Sequence, residues 1–242
     1  MTSRLEAANH LAIIAHRGGL GHGPENALST IEQSLAQNVE AIEIDIYAVD
    51  GELLITHDRL LGKSLSGSGR LQDLSKDEAK KLSLPNGEPV PTLTDVLQLV
   101  GKQCDINLEI KGCDNIVELL IETVMEFVNK DHCELDQFII SSFDHRHLEK
   151  ALAIQPDIKR GVLIDGVLTD YCASFEHLKG WSLHPRITFT PRELIDDAHD
   201  RGYKVYVYTV NNEKDIQDMI DWGVDGIFTD FPEQAKKIRD TY

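Results

Sequence analysis

The chain has 242 residues, long for a single packed core but within the range of barrels that fold as one domain. Its 24 basic and 41 acidic side chains give a formal net charge of −17, a field that repels nucleic acid and anionic lipid and argues against both as bulk partners. No Gly/Pro/Ser-rich linker or short tandem repeat divides it, so residues 1–242 are read as one domain.

The opening stretch, MTSRLEAANHLAIIAHRGG, has no sustained apolar segment. Its run at 11–15 is too short for a leader peptide or a membrane span, so no stable membrane insertion is expected. That run is instead the first predicted strand, and 41–46 is the second. YAVDGELLIT then reads as a β-hairpin turning at Asp50-Gly51 and returning at His57. Residues 59–90 form a polar excursion with SLSGSGR and a short helix, SKDEAKKLS. A helix opening at Thr92 or Thr94 ends at Gly101. Further strands are predicted at 106–110, 137–141, 160–164, 181–183, 204–208 and 226–229. Between them, Thr190 is expected to cap a helix entered through Pro191 and stopped at Gly202. Asn212 caps another that ends at Gly223. Eight near-continuously apolar strands alternating with helices predict a (β/α)8 TIM barrel, α/β in class, with a small insertion at about 59–90 in the second βα loop. Cys104, Cys113, Cys133 and Cys172 have neither metal-site spacing nor a dense disulfide framework, which predicts reduced thiols and a cytoplasmic location.

Barrel sites are built at the C-terminal ends of strands, so those ends are where chemistry is sought. The first gives His16-Arg17 before Gly18-Gly19: an imidazole able to exchange protons near neutral pH and a planar fork suited to phosphate oxygens. The second carries Glu43 and Asp45, which strand periodicity places on one face while Ile42, Ile44 and Ile46 take the other. Two converging carboxylates in an apolar strand call for a cation, and all-oxygen ligation suits Mg²⁺ or Ca²⁺. An ion-pair network is the competing structural reading. Bound cations or a few placed basic residues would let so acidic a chain hold an anion. The hairpin returns at His57-Asp58, offering a second histidine for an acid–base pair. The third barrel strand ends in Glu109 and Lys111 on one face, one metal oxygen and one phosphate-binding ammonium, or else a simple interior ion pair.

This constellation resembles the glycerophosphodiester phosphodiesterase family over nearly the whole chain. The likeness rests on IIAHRGG, GPENALSTIEQSLAQNVEAIEIDIYAVDG, LLITHD, PTLTDVLQLV, INLEIKG, IISSFD, YVYTVN and GVDGIFTDFP. It implies His16 and His57 as acid/base pair, Glu43, Asp45 and Glu109 as ligands of Mg²⁺ or Ca²⁺, and Arg17 and Lys111 as phosphate contacts. It further implies that Glu25 and Asn26 order the first loop or sit near the metal, and that Tyr208 lies against the glycerol. The implied activity is hydrolysis of small glycerophosphodiesters to glycerol 3-phosphate and an alcohol. The chain departs from the family's text at Ala27, where a threonine is usual, at Tyr208 in place of tryptophan, and in LLGKSLSGSG. Two other readings stand beside this one: a related barrel phospholipase-type phosphodiesterase, which would need an exposed apolar rim, and a non-catalytic barrel that binds phosphodiesters. Ser142 and Phe143 are pocket candidates, His184 a packing residue. His10, His22, His132, His145, His147, His177 and His199 receive no role.

Overall fold

The structure, a computed structural model, describes residues 3–112 and 116–242. Cys113 lies outside the described residues. In chain order the elements are α1 (Arg4–Ala7), β1 (Ala12–Ala15), α2 (Leu28–Ala36), β2 (Ala41–Val49), β3 (Glu52–Ile55), α3 (Lys76–Ala79) and α4 (Leu93–Val100). They continue with β4 (Asp105–Ile110), α5 (Ile116–Asn129), β5 (Phe138–Ser142), α6 (His145–Ile154), β6 (Lys159–Ile164), α7 (Phe175–Leu178) and β7 (Ser182–Pro185). The last are α8 (Arg192–Asp200), β8 (Lys204–Val207), α9 (Glu213–Asp221), β9 (Gly226–Thr229) and α10 (Pro232–Thr241).

Strand β1 pairs in parallel with both β2 and β9, which closes the sheet into an eight-stranded parallel barrel. Strand β3 stands outside the ring, antiparallel to β2, and Asp50 and Gly51 turn the hairpin with φ of 46° and 77°. Both positive values are what a two-residue turn between twisted strands requires. The β2–β4 ladder aligns Glu43 with Asn107 and Asp45 with Glu109, so acidic side chains of neighbouring strands meet inside the barrel. Ile42, Ile44 and Ile46 join the apolar layer between sheet and helices, each burial worth roughly 1.5–3 kcal/mol.

A smaller cluster fills the barrel interior: Ala12, Ile14, Ala41, Ile139, Tyr206 and Phe228, with Leu5 from α1. Helix α1 plugs the lower mouth, because the Arg4 and Leu5 amides donate to the Asp105 carboxylate at 3.1 and 2.9 Å. The segment 59–90 is less polar than its text suggests. Leu65, Leu71, Ala79, Leu82 and Leu84 bury themselves against Tyr47, Val49 and Leu54 of the hairpin, giving the excursion an apolar centre. Capping is as expected at Thr92 and Asn212, whose side chains accept from the Asp95 and Lys214 amides. Thr190 is not a cap. Pro191 occupies that position and the Thr190 hydroxyl donates to the Arg186 carbonyl instead. Ala27 precedes α2 without any side-chain cap. No helix among the described residues is long and apolar enough to cross a membrane.

His184 lies within β7, fully buried beneath the site, its Nε2 2.7 Å from the Ser182 hydroxyl and its ring edge-on to Tyr206 and Phe228. The ring fits because Gly161 faces it from β6: a Cβ there would stand 2.3 Å from the imidazole. Burial pushes the His184 pKa down from 6.5 to about 3. The folded ring therefore stays neutral while the unfolded chain takes up a proton, so stability is lost as pH falls from 6.5 towards about 3. The slope from this group reaches at most about 1.4 kcal/mol per pH unit. Urea midpoints measured between pH 7 and pH 4 are expected to fall less steeply in His184→Gln than in the unsubstituted chain.

Candidate active site

A cavity of about 330 Å³ opens at the C-terminal ends of the strands. His16, Arg17, His57, Glu109 and Lys111 line it together with Phe143, Arg186 and Tyr208 and other residues after β7 and β8. All but His57 lie at or just past the C-terminal ends of barrel strands, and His57 follows the hairpin strand β3.

At the floor, the oxygens of Glu43, Asp45 and Glu109 come within 4.8 Å of one another, all three residues buried. Burial, then the neighbouring charge of Asp45, hold the Glu43 carboxyl above its ordinary value. Asp45 is held the other way: burial raises it, but Lys111, His57 and Arg17 outweigh that and keep it ionised. Asn26, fully buried with φ of 62°, donates from Nδ2 to Asp45 Oδ2 at 3.0 Å and accepts from the Asp45 amide at 3.3 Å. The Lys111 ammonium bonds Glu109 and lies 3.1 Å from Asp45 Oδ1. The Arg17 amide donates to Glu43 Oε2 at 2.7 Å, and its guanidinium bonds Glu25. Glu43 Oε1 alone in this trio is buried with no hydrogen-bond partner. An orphaned carboxylate oxygen beside two other carboxylates is costly unless a cation shares it. Glu25, His57 and Asp58 also bring ligand atoms within 4.8 Å, but Arg17 bonds Glu25 while Lys63 and Ser64 bond Asp58.

The histidines differ in setting. His16 Nδ1 donates to Asp230 Oδ1 at 2.6 Å, and its Nε2 lies 4.0 Å from Glu43 Oε2. Burial works against the imidazolium, yet the Asp230 bond and the Glu43 charge raise its pKa above the ordinary value. His57 Nδ1 is 3.1 Å from Asp58 Oδ1. Burial, with Arg17 and Lys111 nearby, lowers its pKa.

All ten sequence-predicted residues therefore gather at this end of the barrel. Three others belong with them and were not anticipated. Asp230 follows β9 and orients His16. Asn211 donates to Asp230 Oδ2 at 2.6 Å and accepts from the Asp230 amide at 2.9 Å, fixing that carboxylate. Arg186 follows β7 and lines the cavity. Phe143 lines it too, whereas Ser142 is buried and bonds the Asp144 amide. The strand-end rule finds Asp230 in GIFTDFP once the last strand is placed at Gly226–Thr229.

The chain matches the model of the Glycerophosphoryl diester phosphodiesterase family over residues 16–234. It is 32% identical to a glycerophosphodiester phosphodiesterase of Caldanaerobacter subterraneus subsp. tengcongensis, covering 91% of this chain and 94% of that one. It is 31% identical to one of Bacillus altitudinis, covering 94% and 98%. Among solved structures it resembles an Oleispira antarctica phosphodiesterase in complex with its product sn-glycerol-3-phosphate, with TM-score 0.86, 29% identity, and 96% and 97% of the two chains covered.

Proposed function

The chain belongs to the glycerophosphoryl diester phosphodiesterase family, and from that premise we propose that it hydrolyses glycerophosphodiesters to glycerol 3-phosphate and an alcohol, dependent on a divalent cation. The observation that carries the reading is the buried trio Glu43, Asp45 and Glu109, with Glu43 Oε1 unpartnered, beside a cavity lined by His16 and His57. The trio fits a hard cation by donor chemistry, which favours Mg²⁺ or Ca²⁺. Once bound, the cation supplies Lewis-acid polarisation and positive charge at the phosphoryl group.

The chain's own residues do the rest. Arg17, anchored through its amide to Glu43, and Lys111, anchored on Asp45 and Glu109, present two fixed positive charges to the phosphoryl oxygens. Glu25 holds the Arg17 side chain and Asn26 holds Asp45, so both order the floor rather than touch substrate. One histidine takes the proton of the attacking hydroxyl, from water or from the substrate's glycerol 2-OH. The other gives a proton to the departing alcohol oxygen. On the 2-OH route the cyclic phosphate left when the alcohol departs is then opened by water to glycerol 3-phosphate. Tyr208 lines the cavity, its hydroxyl tied to the Ile164 carbonyl at 3.0 Å. The product complex of the Oleispira antarctica relative supports glycerol 3-phosphate as the product here. Three buried free cysteines, each thiol pushed up to about 11 or 12 by burial, support a cytoplasmic setting.

Product identity tests the reaction. Purified chain given glycerophosphocholine is expected to release choline and glycerol 3-phosphate; glycerol and phosphocholine instead would place cleavage on the wrong bond.

Asp230→Asn keeps the shape of the His16 partner and removes its charge. Activity is expected to fall about 10- to 100-fold, as for other groups that orient a reacting side chain. The limb of the pH–rate profile belonging to His16 should move to lower pH, because the raising influence of Asp230 is gone. Unchanged limbs with the same fall would assign Asp230 a purely structural part.

A second reading draws on exposed apolar side chains at this same end: Phe143, Val167, Leu168 and Phe189 lie on loops after β5, β6 and β7. They form the kind of rim a phospholipase-type enzyme needs. Turnover of lysophospholipid micelles well above that of soluble glycerophosphodiesters would favour it.

A further inference from the structure

Asn107 sits inside the barrel on β4, in register with Glu43 of β2 and two residues before Glu109. Strand periodicity turns it to the same face as Glu109, and the parallel ladder sets it beside Glu43. It is only 1% exposed, so its amide must find partners within the protein. Its Nδ2 donates to the Ser141 hydroxyl of β5 at 2.9 Å. Its Oδ1 is buried with no hydrogen-bond partner among the described residues. Glu43 repeats the pattern: Oε2 takes the Arg17 amide at 2.7 Å, and Oε1 is unpartnered. Buried acceptors without donors are costly, and here two stand on paired residues.

Both residues line a small space of about 20 Å³ that His16 and Glu109 share and that Leu163 and Phe228 help to close. That volume suits a single water. A water brings two hydrogens, and Glu43 Oε1 and Asn107 Oδ1 are two acceptors in need of them. Asp45 does not line the space, which is therefore not the point that the three carboxylates share. A carboxylate oxygen has more than one acceptor site, so Oε1 can serve a cation and a water together. Held at Oε2 alone, the carboxylate could turn about its terminal torsion, whose minima are broad.

We propose that Asn107 is a positioning residue for Glu43, holding the second oxygen of that carboxylate through one buried water while Ser141 holds Asn107. The part played towards a cation rests on the function proposed above; the water rests on the space and its two acceptors.

Crystal structures with and without Mg²⁺ are expected to show one ordered water within hydrogen-bonding distance of both Glu43 Oε1 and Asn107 Oδ1. Calorimetric titration with Mg²⁺ and with Ca²⁺ then compares the unsubstituted chain with Asn107→Leu and Ser141→Ala. Asn107→Leu is expected to weaken cation binding about 10- to 100-fold, the usual loss for a partner one bond removed from a metal, and Ser141→Ala by a smaller factor. Asn107→Leu should also need more cation for half-maximal turnover and recover most of its rate in excess cation, which a damaged barrel would not do. Thermal unfolding reports whether each variant folds, and the milder Ser141→Ala carries the comparison if Asn107→Leu does not. Unchanged cation affinity in the folded variants overturns the proposal. So does a structure in which no water joins the two residues, or in which the Asn107 amide meets Glu43 or the cation directly. Failure of the water with cation binding intact is failure of this inference alone, whereas an unsubstituted chain that binds neither cation removes the reading above and the role of Asn107 with it.

Discussion

Asp45→Asn is expected to lower glycerophosphodiester turnover by more than about a thousandfold, since Asp45 would be one of the residues holding a divalent cation, and such a cation would supply several kcal/mol of charge stabilisation at the phosphoryl group. Asp45 is the hub of the floor. It is buried, bonded to Asn26, 3.1 Å from Lys111, and aligned with Glu109 by the β2–β4 register. Asparagine keeps the volume and one oxygen but removes the charge that faces Lys111 and that a divalent cation would need. A loss of folding would mimic the effect, so thermal unfolding must accompany the rate. The unsubstituted chain should gain several degrees in Mg²⁺ or Ca²⁺ because the cation binds the folded form alone. Asp45→Asn should stay folded without gaining them. Near-normal turnover in a folded Asp45→Asn protein would remove the carboxylate trio from the mechanism.

His16→Ala and His57→Ala should each cost about 100- to 10,000-fold with an alkyl alcohol as leaving group, the usual range for a positioned acid or base. The two part company when the leaving group is changed. A nitrophenolate departs without needing a proton, so the variant lacking the general acid should recover most of its rate on a nitrophenyl ester. The variant lacking the base should not. Recovery in one variant only is the expected pattern, and it assigns the roles. Equal recovery in both, or in neither, would contradict division of proton transfer between these residues. Both rings line the same cavity from different elements, His16 from the end of β1 and His57 from beyond β3.

Most of this site was legible in the sequence because a parallel barrel turns chemistry into a position rule. Glu43, Asp45 and Glu109 could be placed by strand periodicity alone, and the alternating isoleucines were the counterpart that made the pattern readable. Arg186 was not legible for a related reason. The predicted strand stopped at residue 183, whereas β7 runs to Pro185 and makes Arg186 the first residue past its end. Pro185 is tolerated because its carbonyl, not its missing amide, bonds the Tyr208 amide at 3.0 Å. Asp230 was visible in GIFTDFP, but its part depends on His16 lying 214 residues away in sequence, a contact that barrel closure through β1–β9 supplies and local pattern does not. The apolar centre of 59–90 escaped because its leucines follow no helical or strand period. They are gathered by the hairpin beneath them.

The most direct test of the central claim is release of glycerol 3-phosphate from a soluble glycerophosphodiester by one protein preparation, first stripped with chelator and then supplied with Mg²⁺ or Ca²⁺. The account predicts negligible release in chelator and restoration by at least one of the two cations. Undiminished release from the stripped, folded protein would contradict it.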